Sequence, residues 1–245
     1  MKENKYDNKH FFNQYQQMTR SKYGLKGAGE WHELKKMFPD FKNHDVLDLG
    51  CGMGWHCKYA IEQGASSVIG IDISTKMLQK AKEINAHDRI TYRHQAIEDF
   101  DFPCHYFDSV ISSLCFHYIK SFDDICSKVH HCLKPNGDFV FSVEHPIFTA
   151  EGQQDWYYDH NGNIMHWPVD SYFKEGVREA IFLSEKVVKY HRTLTTYINT
   201  LIKHGFEITK VVEPTPQEQM LINDKEMLNE LRRPMMLLIS AKKRR

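Results

Sequence analysis

Apolar positions along the chain recur with two periods, one suited to strands and one to helices. Short apolar runs bounded by turn residues predict strands at Val46–Leu49, Ser67–Ile73, Ile90–Ala96, Ser109–Leu114 and Phe139–Val143. Between them, helical spacing appears in Cys57, Ala60 and Ile61, in Met77, Leu78, Ala81 and Ile84, and in Ile125, Val129 and Cys132. Ser74 and Ser121 are placed to cap the second and third of these helices, and Gly64 to stop the first. Pro135, Asn136 and Gly137 predict a turn before the fifth strand. Leu194, Tyr197, Ile198, Leu201 and Ile202 predict a further helix, ended by Gly205. Two more strands follow, Phe206–Val212 and Met235–Ala241, whose direction the pattern leaves open.

Repeated alternation of strand and helix predicts an α/β fold, a mainly parallel sheet with helices on both faces. Two stretches stand apart from it. Residues 1–44 read as short helices and loops, with Phe11, Tyr15 and Met18 on one face and a second helix ended by Pro39. Residues 146–190 are aromatic and polar, too long for an ordinary connection, and read as an insertion covering something. One domain over 1–245 accommodates both, since at about 150 residues per domain the length predicts one to two.

Composition narrows the function. Lys plus Arg and Asp plus Glu are each 32, so the formal net charge is zero. A protein working on nucleic acid usually carries a basic surplus, so no nucleic-acid partner is expected. Hydrophobic residues at 41% and aromatics at 13% place the chain with globular proteins. No run approaches the roughly 18 apolar residues of a membrane span, and the start lacks a signal-peptide core. A cytosolic location with six reduced cysteines, none in a CxxC pair, is the expectation. His130, His131 and Cys132 are adjacent on a helix and do not converge, so no metal site is expected. The terminal KKRR reads as a solvated tail.

The strongest chemical signal is DVLDLGCGMGWH, Asp45–His56. A strand runs into Gly50, Gly52 and Gly54, and a helix follows. Glycines allow a tight turn and close approach of a ligand, and the helix start offers unpaired N–H groups. Asp72, 18 residues after Gly54, ends the next strand, where a carboxylate can accept from both ribose hydroxyls. The dinucleotide fingerprint G-x-G-x-x-G requires glycine where Trp55 stands, which disfavours a nicotinamide-dependent dehydrogenase.

VLDLGCGMG with VIGIDIS and Met77 resembles the class I S-adenosylmethionine-dependent methyltransferases. It is similar to small-molecule methyltransferases related to those of ubiquinone and menaquinone biosynthesis. The resemblance is clear over about residues 45–145, and VEHPIFTA, QDWYYD, HWPVDSYF and KYHRTLTTYI resemble a bacterial subgroup. It implies a Rossmann-like doubly wound sheet of seven strands with the last antiparallel, and S-adenosyl-L-methionine as cofactor. It assigns Gly50, Cys51, Gly52 and Gly54 to the loop around the methionine part, with Asp48 as the acid of that motif. Asp72 becomes the ribose acid and Ile73 the residue packed on adenine. Met77 joins the cofactor residues. Ala96, Ile97 and Glu98 flank the adenine edge, and Ser112 and Leu114 lie near the methyl group. Tyr15 and Arg20 are placed to close over the cofactor, and Trp55 and His56 to reach its carboxylate or simply start the helix.

Methyl transfer from a sulfonium needs alignment and exclusion of water, and a base only if the acceptor carries a proton. His117 follows the fourth strand and His145 the fifth, where open α/β sheets place their ligands, so both are candidate catalytic residues. The expected function is methyl transfer to a small molecule, with the 146–190 insertion as a pocket roof or a packed cap. The alternatives are methylation of nucleic acid or protein and cofactor binding without catalysis. The first of these lacks its (D/N)PP(Y/F) motif, since Ser112, Ser113, Leu114 and Cys115 occupy that place.

Overall fold

Buried runs of aliphatic residues build the centre of the molecule, a computed structural model that describes residues 2, 4–223 and 225–244. The N-terminal segment forms three short helices, α1 (Lys9–Tyr15), α2 (Thr19–Lys22) and α3 (Trp31–Leu34). Alternation then begins with β1 (Asp45–Leu49), α4 (Trp55–Glu62), β2 (Ser67–Asp72), α5 (Thr75–Ile84), β3 (Ile90–His94) and β4 (Phe107–Ser113). It continues through α6 (Phe122–Cys132), β5 (Leu133–Glu144) and α7 (Pro146–Thr149). Two hairpins follow, β6 (Tyr157–Tyr158) with β7 (Ile164–His166), and β8 (Gly176–Phe182) with β9 (Glu185–His191). The chain closes with α8 (Leu194–Lys203), β10 (Phe206–Val212), α9 (Glu218–Asn223), a 3-10 segment Lys225–Arg232 and β11 (Met236–Lys243).

Seven strands form one sheet in the order β10-β11-β5-β4-β1-β2-β3. All pairs among β1 to β5 are parallel, and β11 runs antiparallel to both β5 and β10. The last strand is therefore inserted antiparallel, as the resemblance implied. Alternation along each strand splits the core between two faces. Phe139, Phe141 and Val143 face α6 and α8, where Ile125, Val129, Tyr197 and Leu201 are buried. Val140 and Leu238 face Leu34 and Met37, and Val46 and Val68 meet Cys57, Ala60 and Leu78.

The expected caps form: Ser74 Oγ accepts from Met77 N at 3.1 Å and Ser121 Oγ from Asp124 N at 3.2 Å. The turn expected at Pro135–Gly137 forms within the span of β5. Between Leu133 and Asp138 the chain advances five residues while β4 advances two, from Phe107 to Ser109, and Asn136 takes a φ of 62°. The insertion is not irregular. Its β8–β9 hairpin packs Ala180 and Val187 against Phe11 of α1, with Tyr6, Tyr118 and Phe182 around them. The N-terminal segment and the insertion thus share one apolar cluster over the carboxyl ends of the parallel strands. Among the described residues, no helix is long and apolar enough to cross a membrane. Arg245, the end of the KKRR tail, lies outside the described residues.

Candidate active site

The glycine turn sits at the carboxyl end of β1. Gly50 N and Cys51 N both donate to Ile71 O, at 2.9 and 3.0 Å, which fastens the turn to β2. Gly52 has a φ of 52°, and a Cβ built there would meet nothing within 4 Å. That is space a ligand can fill. Gly54 is required for another reason: its φ is 77° and a Cβ would collide with the Tyr92 hydroxyl. Packing against Tyr92 thus demands a glycine here.

Asp72 ties the turn to α5. Its Oδ2 accepts from Gly52 N at 2.9 Å and its Oδ1 from Ser74 N at 2.8 Å. Burial pushes its pKa up, against these two hydrogen bonds. Asp48 lies beneath the turn, buried, where Cys57 Sγ donates to its Oδ2 at 3.2 Å. Burial raises Asp48 to about 7. Ser112 Oγ donates to Leu49 O at 2.7 Å and braces the end of β1.

Two adjoining cavities flank this turn. The smaller, about 90 Å³, is lined by Arg20, Ser21, Cys51, Trp55 and His56 among others. Ser21 Oγ and Trp55 Nε1 are buried there without a hydrogen-bond partner. Orphaned polar groups of this kind await a polar ligand. Arg20 crosses both cavities and holds the buried Glu30 through two contacts, 2.5 and 2.8 Å. Burial lowers His56 to about 4, so it is neutral at pH 7.

The larger cavity, about 410 Å³, runs from Gly50, Gly52, Asp72 and Met77 past Leu114 and Cys115 to His117, Tyr118, Glu144 and Lys189. Leu114 has a φ of 50°, an uncommon backbone state for leucine, held by its N–H donating to Ser142 O at 2.9 Å. The far end has mixed walls. Phe148, Phe182, Met235 and Met236 supply apolar surface, and Glu144, Gln154 and Lys189 supply a closed polar triangle. Lys189 Nζ donates to Glu144 Oε1 at 2.6 Å and to Gln154 Oε1 at 2.7 Å, while Gln154 Nε2 donates to Glu144 Oε2 at 2.8 Å.

The structure thus brings together Tyr15, Arg20, Gly50, Cys51, Gly52, Asp72, Met77, Leu114 and His117. Asp48, Gly54, Ile73, Ala96, Ile97, Glu98, Ser112 and His145 line neither cavity. His117 is buried; its Nδ1 accepts from Glu144 N at 3.3 Å, and desolvation lowers it to about 4. It is a weak base at neutral pH. His145 points away. Its Nδ1 accepts from Ile147 N at 3.0 Å to cap α7, and its Nε2 lies 2.8 Å from Glu213 Oε1. The alternation of β5 is the reason: Glu144 faces the cavity, so its neighbour faces elsewhere. Glu98 presents its carbonyl to Lys128 Nζ at 2.6 Å. Tyr6, Gln154 and Lys189 were not among the expected site residues.

Comparison with known proteins identifies the family. A methyltransferase-domain model matches residues 47–141. The structure of an S-adenosylmethionine-dependent methyltransferase from Mesorhizobium loti is 42% identical, covering 89% of this chain and all of that one, with a TM-score of 0.83. A candidate S-adenosylmethionine-dependent methyltransferase of Listeria monocytogenes is 57% identical over 89% of this chain and 99% of that one, also at 0.83. The chain belongs to the class I S-adenosylmethionine-dependent methyltransferases. An uncharacterised protein of Haemophilus influenzae is 35% identical to this methyltransferase over 97% of its chain and 96% of the relative. S-adenosylmethionine is the methyltransferase's cofactor, and the open space at Gly52 together with the orphaned Trp55 and Ser21 fits a ligand with a polar end.

Asp7 fastens the N-terminal segment of the methyltransferase over this site. Its carboxylate accepts from Ser74 Oγ at 2.7 Å and from Lys76 N at 3.1 Å at the start of α5. These hydrogen bonds hold it at about 2, against the desolvation that would raise it. A depressed carboxylate stabilises the fold above its unfolded pKa of about 3.9 and loses that effect as pH falls through its folded value. After allowance for solvent screening the contribution is about 1 kcal/mol. Asp7→Asn is therefore expected to flatten the acid limb of a stability–pH profile between about pH 5 and pH 2. Chemical denaturation at a series of pH values checks it; a limb as steep as wild type contradicts it.

Proposed function

We propose that the enzyme methylates a small molecule held at the Lys189 end of the larger cavity. The carrying observation is enclosure: the N-terminal segment and the β8–β9 hairpin meet over the site through Phe11, Ala180 and Val187. The acceptor end lies beneath that cluster, bounded by Tyr118, Phe148, Phe182 and Met236. Such a chamber suits a small ligand rather than a polymer. The absence of a basic surplus agrees, with a formal net charge of zero.

Relatives divide on the acceptor. N-demethylindolmycin N-methyltransferase of Streptomyces griseus is 26% identical over 72% of this chain and 78% of that enzyme. The tRNA U34 carboxymethyltransferase of Cellvibrio japonicus is 26% identical over 68% of this chain but 53% of that enzyme.

In this reading Asp72 receives the ribose hydroxyls. Arg20, Ser21, Trp55 and the Gly50–Gly54 turn hold the methionine end, and Tyr15 closes over it. Asp48 and Ser112 act from beneath, by fixing the turn. Bound S-adenosylmethionine supplies a methyl group already activated on a positively charged sulfur. The protein's part is alignment and dryness: Leu114 and Cys115 set the passage between the two ends, and the apolar walls exclude water.

The test uses S-adenosylmethionine carrying a tritiated methyl group with a bacterial lysate fractionated into small-molecule filtrate, RNA and protein. Label is expected in the filtrate in a product that chromatography separates from S-adenosylmethionine itself and that does not form without the enzyme. Label confined to the RNA or protein fraction overturns the reading.

A further inference from the structure

The polar triangle at the acceptor end leaves one donor over. Both carboxylate oxygens of Glu144 are engaged, Oε1 by Lys189 and Oε2 by Gln154. Gln154 spends its carbonyl on Lys189 and its amide on Glu144 and on Phe148 O. Gln154 also adopts a φ of 56°, a state held only by surroundings that over-determine it. An ammonium has three protons, and Lys189 places two of them. Around the third, the described residues offer ring faces, Tyr118 at 5.9 Å and Phe182 at 5.6 Å. Other polar atoms nearby can donate as well. His117 accepts a backbone N–H at Nδ1, so its proton sits on Nε2. The hydroxyls of Tyr6 and Tyr118 lie 3.5 Å apart and share at most one proton between them. This end of the chamber thus sets a paired ammonium with one proton to spare between flat rings.

We propose that Lys189 is the anchor for an acceptor that presents an anionic oxygen on a planar ring, received by its third N–H between the Tyr118 and Phe182 faces. The proposal rests on the small-molecule reading above. The oxyanion takes the spare charge-assisted hydrogen bond, and the ring stacks on the aromatic walls. A cationic amine would have to share Glu144 with Lys189 and Gln154, which already donate to its two oxygens and set a like charge beside it. Glu144 thus acts as a positioning residue: it holds the ammonium in place and, by pairing with it, moderates its pull on the ligand.

The test needs no natural substrate. Para-nitrophenol is titrated into the protein saturated with S-adenosylhomocysteine, at a pH where the free probe is mostly neutral. Wild type is expected to bind it as the yellow phenolate, visible in its absorption band. Lys189→Arg keeps the band. Glu144→Gln strengthens it, because Lys189 loses its competing partner. Glu144→Gln/Lys189→Met removes both charges, so no charge is left buried alone. It is expected to abolish the band and weaken binding by about 10- to 100-fold, the range for one hydrogen bond to a charged group. Its unfolding temperature should still rise with S-adenosylhomocysteine, showing that the fold and cofactor site persist. The wild-type arm is decisive by itself: no binding, or binding as the neutral phenol, overturns the anchor. A phenolate band unchanged in the double variant overturns it as well. None of these outcomes bears on where the tritium label goes, so the two readings fail separately.

Discussion

Asp72→Ala is expected to lower affinity for S-adenosylhomocysteine by about 100-fold or more. The carboxylate holds Gly52 N at 2.9 Å and Ser74 N at 2.8 Å, so it shapes the ligand-facing turn and the start of α5 together. In the proposed complex it also accepts from the ribose. Each hydrogen bond to a charged group contributes about 1.5–3 kcal/mol. Losing two costs about 3 kcal/mol or more, which is the stated factor. Stability should fall less, since burial already disfavours the charged form of Asp72 and offsets part of its gain. Isothermal titration calorimetry reads the affinity directly. A change of less than about threefold would remove Asp72 from the cofactor site.

Arg20→Met is expected to be the most destabilising single change at the site. Glu30 is 1% exposed and owes its charge to Arg20, which contacts both of its oxygens. Removing one partner of a buried pair costs about 3–5 kcal/mol. For a chain of this length that is about 6–20 °C in unfolding temperature. The sign of the pH dependence identifies the cause. In wild type burial acts to raise the pKa of Glu30, and Arg20 with a backbone hydrogen bond brings it below the ordinary value. Without Arg20, burial is opposed only by a backbone hydrogen bond and His56, and is expected to raise it above the unfolded value. A raised carboxylate gives its stability below the unfolded pKa, so the deficit should shrink as pH falls towards 4.5 and below. Arg20→Met/Glu30→Gln should recover most of the stability but not the cofactor affinity. Recovery of both would make Arg20 a packing residue only.

Local signals in the sequence carried most of the sheet and the cofactor turn. A glycine turn between strand and helix, an acid closing the next strand, and the Ser74 cap are all written within about 30 residues. The acceptor chamber is not local. Lys189, Glu144 and Gln154 meet only because β9 folds back over the end of β5, and no spacing rule predicts that contact. The β8–β9 hairpin itself gave no warning. Its turn is Leu183–Ser184, with φ of 51° and 61°, where asparagine–glycine would have announced it. His145 shows the opposite failure: it stands where ligands bind in this class of sheet, yet strand alternation turns it towards Glu213. Ile73, Ala96 and Glu98 have the positions the family resemblance gave them but line neither cavity.

In the proposed complex one continuous chamber holds the cofactor at its Asp72 end and the acceptor at its Lys189 end. The most direct measurement is a crystal structure of the complex with S-adenosylhomocysteine. Ribose hydroxyls are expected within hydrogen-bond distance of the Asp72 carboxylate. The amino-acid end is expected by Arg20 and Trp55, and the sulfur at Leu114 and Cys115, open towards Lys189. A ribose bound away from Asp72, or a sulfur facing solvent instead of Lys189, would contradict that arrangement.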